Sequence, residues 1–148
     1  MKHIFSLGIF LLLVVFPVAT QAQGARAFKG RLSPMPLDLA MAVNMAGQGA
    51  MTATLAGNTL TLSATFEGLK SPATAAHLKK SPKPGMRGEP VMDLTVTRAT
   101  AGQVSATLDL TPQQASELQA GRYYVQIDSE KAPDGNLWGW LLPQETKR

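Results

Sequence analysis

Apolar and polar residues alternate with a period of two along much of this chain, the spacing of strands that bury one face. The plainest run is residues 59–67, where Leu60, Leu62, Ala64 and Phe66 point one way and Thr59, Thr61, Ser63, Thr65 and Glu67 the other. Met51, Ala53 and Leu55 alternate with Thr52 and Thr54 just before it, and Gly57-Asn58 between the two runs predicts a hairpin turn. Met92, Leu94 and Val96 then oppose Asp93, Thr95 and Thr97, and beyond Gly102 the residues Val104, Ala106 and Leu108 oppose Ser105 and Thr107. Residues 25–32 predict a short, charged first strand of the kind found at sheet edges. Residues 72–78 predict a short strand or a bend.

The same alternation closes the chain. Tyr123, Val125 and Ile127 against Tyr124, Gln126 and Asp128 predict a half-buried strand. Residues 137–142 predict its partner, which carries both tryptophans, Trp138 and Trp140. Between them Ala132-Pro133-Asp134-Gly135-Asn136 predicts the turn, because proline presets φ and Asp-Gly supplies a positive φ cheaply. In residues 35–45 the odd positions are apolar, which fits an extended segment along the core or a short helix. One helix has defined ends: Thr111 caps it, Pro112 takes the first position, Gln114 completes a capping box and Gly121 stops it. About seven or eight short strands with regular turn signals predict an all-β antiparallel sandwich or barrel with one short helix.

The first residues change the picture of where the chain works. Lys2 precedes an apolar run over residues 4–18, and Thr20-Gln21-Ala22 offers small residues for cleavage. This pattern predicts a signal peptide at residues 1–22 and a single domain at 23–148, periplasmic or secreted and not membrane-spanning after cleavage. The apolar run is shorter than the ~20 residues a spanning helix needs. There is no cysteine, which excludes disulfides, thiol catalysis, thiolate metal sites and a lipid-anchored cysteine. A formal charge of +4 is too small to argue for nucleic acid.

Five short stretches, in order, carry a resemblance: Phe66-Glu67-Gly68-Leu69; Ala75-Ala76-His77-Leu78; Leu110-Thr111-Pro112-Gln113-Gln114; Leu118 to Val125; and Ala132-Pro133-Asp134-Gly135-Asn136-Leu137-Trp138-Gly139. The set resembles the CHRD domain, over residues 28–143. The resemblance implies an immunoglobulin-like antiparallel β-sandwich and no established catalytic activity. It also implies departures. Where such domains carry His-Ile-His this chain has His77-Leu78-Lys79. Where they carry Asn-x-His-Thr it has Gln126-Ile127-Asp128-Ser129, and Trp138-Gly139-Trp140 stands for Arg-Gly-Gln. Two of three histidines are thus replaced, by Lys79 and Asp128, and if both point where the family histidines do, a Lys79–Asp128 ion pair is the simple expectation.

Candidate chemistry is thin. His77 is the sole histidine after residue 22, and with Asp128 it offers two ligands where a zinc or copper site wants three or four. Structural use of His77 stands beside a copper alternative that adds the thioethers of Met41 and Met45, with Met35 nearby, although those methionines also fall on the apolar phase. Residues 79–87 form an expected exposed basic loop with Lys79, Lys80, Lys83 and Arg87. Trp138 and Trp140 share a strand face, where they are either lids on the core or an exposed platform, with Tyr124 able to join them. No Gly-x-Ser-x-Gly elbow is present and one histidine supports no triad. The expected function is therefore a non-enzymatic binding module without cofactor. Its candidate surface is His77, Lys79, Lys80, Lys83, Arg87, Tyr124, Asp128, Trp138 and Trp140, and its partner an anionic glycan, an envelope component or a protein.

Overall fold

The computed structural model describes residues 24–145. The expected signal peptide, residues 1–22, lies outside the described residues. The chain is all-β and antiparallel: β1 (Arg26–Leu32), β2 (Gln48–Ala56), β3 (Thr59–Glu67), β4 (Ala73–Lys80), β5 (Glu89–Val96), β6 (Gly102–Asp109), β7 (Tyr123–Ser129), β8 (Ala132–Trp140) and β9 (Leu142–Pro143). Helix α1 (Leu39–Asn44) follows β1, and α2 (Pro112–Gln119) follows β6. Among the described residues there are nine strands rather than seven or eight, and two helices rather than one. No helix among the described residues is long and apolar enough to cross a membrane.

The strands lie in the order β8-β7-β4-β5-β6-β3-β2-β1-β9. β5 joins two halves, pairing with β4 along residues 89–94 and with β6 at Thr95 and Val96. The ends of the row nearly meet. β9 continues directly from β8 yet pairs with β1, and Ser33 and Trp138 exchange two backbone hydrogen bonds of 3.0 Å. β1 is therefore paired on both sides and is not the free edge its charges suggested.

The period-two pattern places the core. Leu60, Leu62, Ala64 and Phe66 of β3 are buried with Met51, Ala53 and Leu55 of β2, and their outward partners are exposed. The hairpin at Gly57-Asn58 holds, with Gly57 at φ +61°. α2 has the full capping box, Gln114 N–H donating to Thr111 Oγ1 at 3.1 Å and Thr111 N–H to Gln114 Oε1 at 2.9 Å. Its Leu118 is fully buried.

Two expectations fail at the closing hairpin. β7 is buried on both faces, not half-buried. Tyr123, Val125 and Ile127 enter the main core, while Tyr124 joins Met45, Ala132 and Trp138 in a second, smaller one, with Met41 and Trp140 against it. The cover is α1 together with the loop after β4, which single-strand periodicity does not reveal. The turn also moves: Glu130-Lys131 connects the strands, and Ala132 already pairs with Ser129. The Pro133-Asp134-Gly135-Asn136 stretch becomes a bulge inside β8, with Gly135 at φ +118°. A Cβ at Gly135 would lie 2.0 Å from the Trp138 ring, so the glycine there makes room for the indole.

Candidate functional site

The outer face of β5, β4, β7 and β8 carries one cross-strand row. Asp93 pairs with His77, His77 with Gln126 and Gln126 with Trp138. The side chains of this row, with Asp128 beside it, form a continuous chain of hydrogen bonds. His77 Nδ1 lies 2.9 Å from Asp93 Oδ1, and Nε2 lies 3.2 Å from Asp128 Oδ2. Gln126 Nε2 donates to Asp128 Oδ1 at 2.7 Å, and Trp138 Nε1 donates to Gln126 Oε1 at 3.0 Å. The chain runs from an exposed carboxylate at Asp93 to a buried indole at Trp138. Each buried polar atom along it is satisfied, which low-dielectric burial demands.

This geometry corrects the expected ion pair. Lys79 lies opposite Tyr124 and Pro90 and makes no ion pair among the described residues. Asp128 is occupied by His77 and Gln126 instead. Both ring nitrogens of His77 face carboxylate oxygens, so the ring is held between Asp93 and Asp128. Among the described residues no three His, Asp or Glu side chains are arranged to hold a metal ion. Met45 is buried beside Tyr124 and Trp138 with Met41 packed on them, and Met35 is partly exposed, so Met41 and Met45 serve as packing.

The basic loop is shorter and more firmly held than expected. Lys79 and Lys80 belong to β4, and the loop proper is residues 81–88. Lys80 Nζ bonds Glu117 Oε1 at 2.7 Å, so its charge is shared with α2. The Arg87 guanidinium lies over the Trp138 ring and donates to the Met35 carbonyl. The Tyr124 hydroxyl donates to Gly88 O at 3.1 Å and accepts from Gly88 N–H at 2.9 Å. Trp140 Nε1 donates to Ser81 Oγ at 3.0 Å, and the Trp140 ring stacks on Tyr124 with centroids 4.8 Å apart. The Tyr124, Trp138 and Trp140 cluster is thus a lid tied to the loop. It is not an exposed platform, since Tyr124 and Trp138 are buried and only Trp140 is partly open.

The site holds residues that the pattern did not single out. Asn136 is fully buried; its amide donates to Ala46 O at 2.7 Å and its carbonyl accepts from Ala46 N–H, fixing the exit of α1. Gln126 and Asp93 complete the hydrogen-bonded chain; the signal for Asp93 is only a polar residue on the outward phase of a strand, while Gln126 also stands at the Asn of the family's Asn-x-His-Thr stretch. Burial pushes the Tyr124 hydroxyl up from its ordinary value.

A family model for the CHRD domain matches residues 35–141. The chain belongs to the CHRD family. The match is shorter at both ends than residues 28–143, and it leaves out β1 and β9, the pair that brings the sheet ends together. Comparison with curated proteins and with solved structures found no match. The matched span of the CHRD domain contains every residue of the hydrogen-bonded chain and the whole loop over it.

Proposed function

We propose that this CHRD domain is an exported, non-enzymatic binding module, periplasmic or secreted, whose partner is an anionic polysaccharide of the envelope or extracellular matrix. The observation that carries the reading is a rigid polar face with uncommitted cations at its border. The Asp93–His77–Asp128–Gln126–Trp138 chain holds the outer face of β4 and β7 in place, while Lys79 beside it and Lys83 in the loop have no ion-pair partner among the described residues. An open groove of about 360 Å³ next to His77 is lined by Asp93, Thr95 and Arg98. Unpaired cations bordering a hydrogen-bonded face favour encounter with a polyanion. His77 supports a structural role, because its two nitrogens meet carboxylates and neither bonds a hydroxyl nucleophile. The apolar run at residues 4–18 behind Lys2 supports export.

The test is calorimetric titration of residues 23–148 with polygalacturonate and with a neutral polysaccharide. The reading expects salt-sensitive binding of the anionic polymer alone, weakened about tenfold by Lys79→Glu with Lys83→Glu. Equal binding of both polymers, or no effect of the two substitutions, overturns it.

A further inference from the structure

Helix α1 is apolar on two opposite faces, and one of them has nothing over it. At about 100° per residue, Met41 falls on one side and Leu39 and Val43 on the other, and Met45 follows as the extended C-cap residue. Met41 and Met45 cover Tyr124 and Trp138. Leu39 is 86% exposed and Val43 68%, and Leu37, just before the helix, is 73% exposed. Met35, at the start of the same segment, and Met86, in the loop after β4, are exposed as well. The two segments adjoin, because Arg87 donates to the Met35 carbonyl. All but one of the exposed large apolar side chains of the described residues therefore gather on α1, its approach and the adjoining loop; the exception is Leu142. Folding of this domain gains nothing from Leu37, Leu39 and Val43 in water, and a gathered patch of this kind marks an interaction surface.

The charges around the patch indicate what covers it. Lys70 Nζ donates to the Val43 carbonyl at the last turn of α1. Arg87 is held at Met35, and Lys131 lines the groove of about 250 Å³ between α1 and β8 with Met41 and Met45. Lys70 and Arg87, from two separate segments, thus border the exposed apolar residues, while Lys131 lies on the covered side of α1. The acids nearby are Asp38, whose side chain caps α1 at the Met41 N–H, and Asp134 in the groove. Protruding leucine and valine rimmed by a surplus of lysine and arginine is the chemistry of an interfacial membrane contact, in which apolar side chains enter the acyl boundary and cations meet lipid phosphate.

We infer that the α1 face docks on an anionic phospholipid surface, with Leu37, Leu39 and Val43 inserting and Lys70 and Arg87 facing the headgroups. The inserting residues are not those of the polysaccharide face, which uses Lys79 and Lys83 and no apolar side chain; the two faces meet at the loop after β4.

The experiment is co-sedimentation of residues 23–148 with vesicles of phosphatidylcholine alone and of phosphatidylcholine mixed with phosphatidylglycerol, alongside light scattering of the protein without lipid. The expected result is binding to the mixed vesicles only, weakened by salt and reduced about tenfold or more in the Leu39→Ser, Val43→Ser double variant. Both side chains are exposed, so circular dichroism and the urea midpoint of the variant should match the parent. No binding to either vesicle overturns the inference, as does equal binding to both or an undiminished double variant. A dimer that the double variant dissolves, without vesicle binding, also overturns it and assigns the face to a second copy of the chain. Polygalacturonate binding by the double variant is expected to be unchanged, so failure of one reading is visible apart from the other.

Discussion

The guanidinium of Arg87 lies 4.2 Å from the ring centroid of Trp138, and through that contact the loop after β4 is clamped to the strand that nearly closes the sheet. The other face of the Trp138 site is held by Gln126 and by the space at Gly135. Arg87→Ala removes the stacked cation and is expected to cost about 1 kcal/mol, the range of a partly desolvated cation–π contact. Trp138→Ala empties the second core and is expected to cost roughly 3–5 kcal/mol. Urea denaturation followed by far-ultraviolet circular dichroism checks both, and an Arg87→Ala cost equal to that of Trp138→Ala would contradict the ordering.

Asp128 and Asp93 both contact His77 but differ in burial. Asp128 is 8% exposed and holds two donors, whereas the Asp93 side chain is almost fully in water. Asp128→Ala leaves Gln126 and His77 without their acceptor and is expected to cost about 1–3 kcal/mol. Asp93→Ala is expected to fall within about 0.5 kcal/mol of the parent. The two urea midpoints decide the matter, and equal shifts would mean that the chain of hydrogen bonds does not act as drawn.

Acid stability should depend on Glu117. Its carboxyl is held below the ordinary range, first by the hydrogen bond from Lys80, against a burial effect that pushes it up, with Gln113, the Lys80 charge and Tyr123 adding to the lowering. A lowered folded value means the contribution is complete above the unfolded value of 4.5 and is lost as pH falls through the folded one. Glu117→Gln should therefore flatten the loss of stability below about pH 4.5, read as urea midpoints across the acid range. An unchanged slope would remove Glu117 from the account.

Alkaline behaviour has the opposite sign. Burial, then the neighbouring Glu117, pushes Tyr123 from 10.0 up to about 12. A raised folded value gives a contribution that is complete below 10.0 and lost as pH rises through about 12. Absorbance titration of Tyr123→Phe should lose the component near 12 and keep that of Tyr124, and persistence of the component near 12 would assign it elsewhere.

The approach of β8 to β1 depends on Gly139. A Cβ there would stand 2.5 Å from the Arg31 carbonyl oxygen and 2.8 Å from Met51 Cε. Backbone cannot yield as a side chain does, so Gly139→Ala is expected to cost about 1–3 kcal/mol. The check is its thermal midpoint against that of an exposed control, Gly24→Ala, where nothing lies within 4 Å.

What the sequence determined by itself is each strand's own two faces and the local stops. Leu60, Leu62, Ala64 and Phe66 face inward, Gly57-Asn58 turns and Thr111 caps α2, because period, turn chemistry and capping act over a few residues. The family was legible too, in ordered short stretches from Phe66 to Gly139. Tertiary structure alone decided which strands are neighbours, and with that the site. His77 meets Asp93 and Asp128 only because β4 lies between β5 and β7, and the Lys79–Asp128 pair fails because Asp128 sits beside Ala75 in that register. Tyr124 and Trp138 are buried only because α1 and residues 81–88 fold over the outer face. The Pro-Asp-Gly-Asn stretch carries a true turn signal, but the pairing of β7 with β8 places the reversal at Glu130-Lys131 and turns the stretch into the bulge that receives the Trp138 ring. Such contacts join residues far apart in the chain, and no local period encodes them.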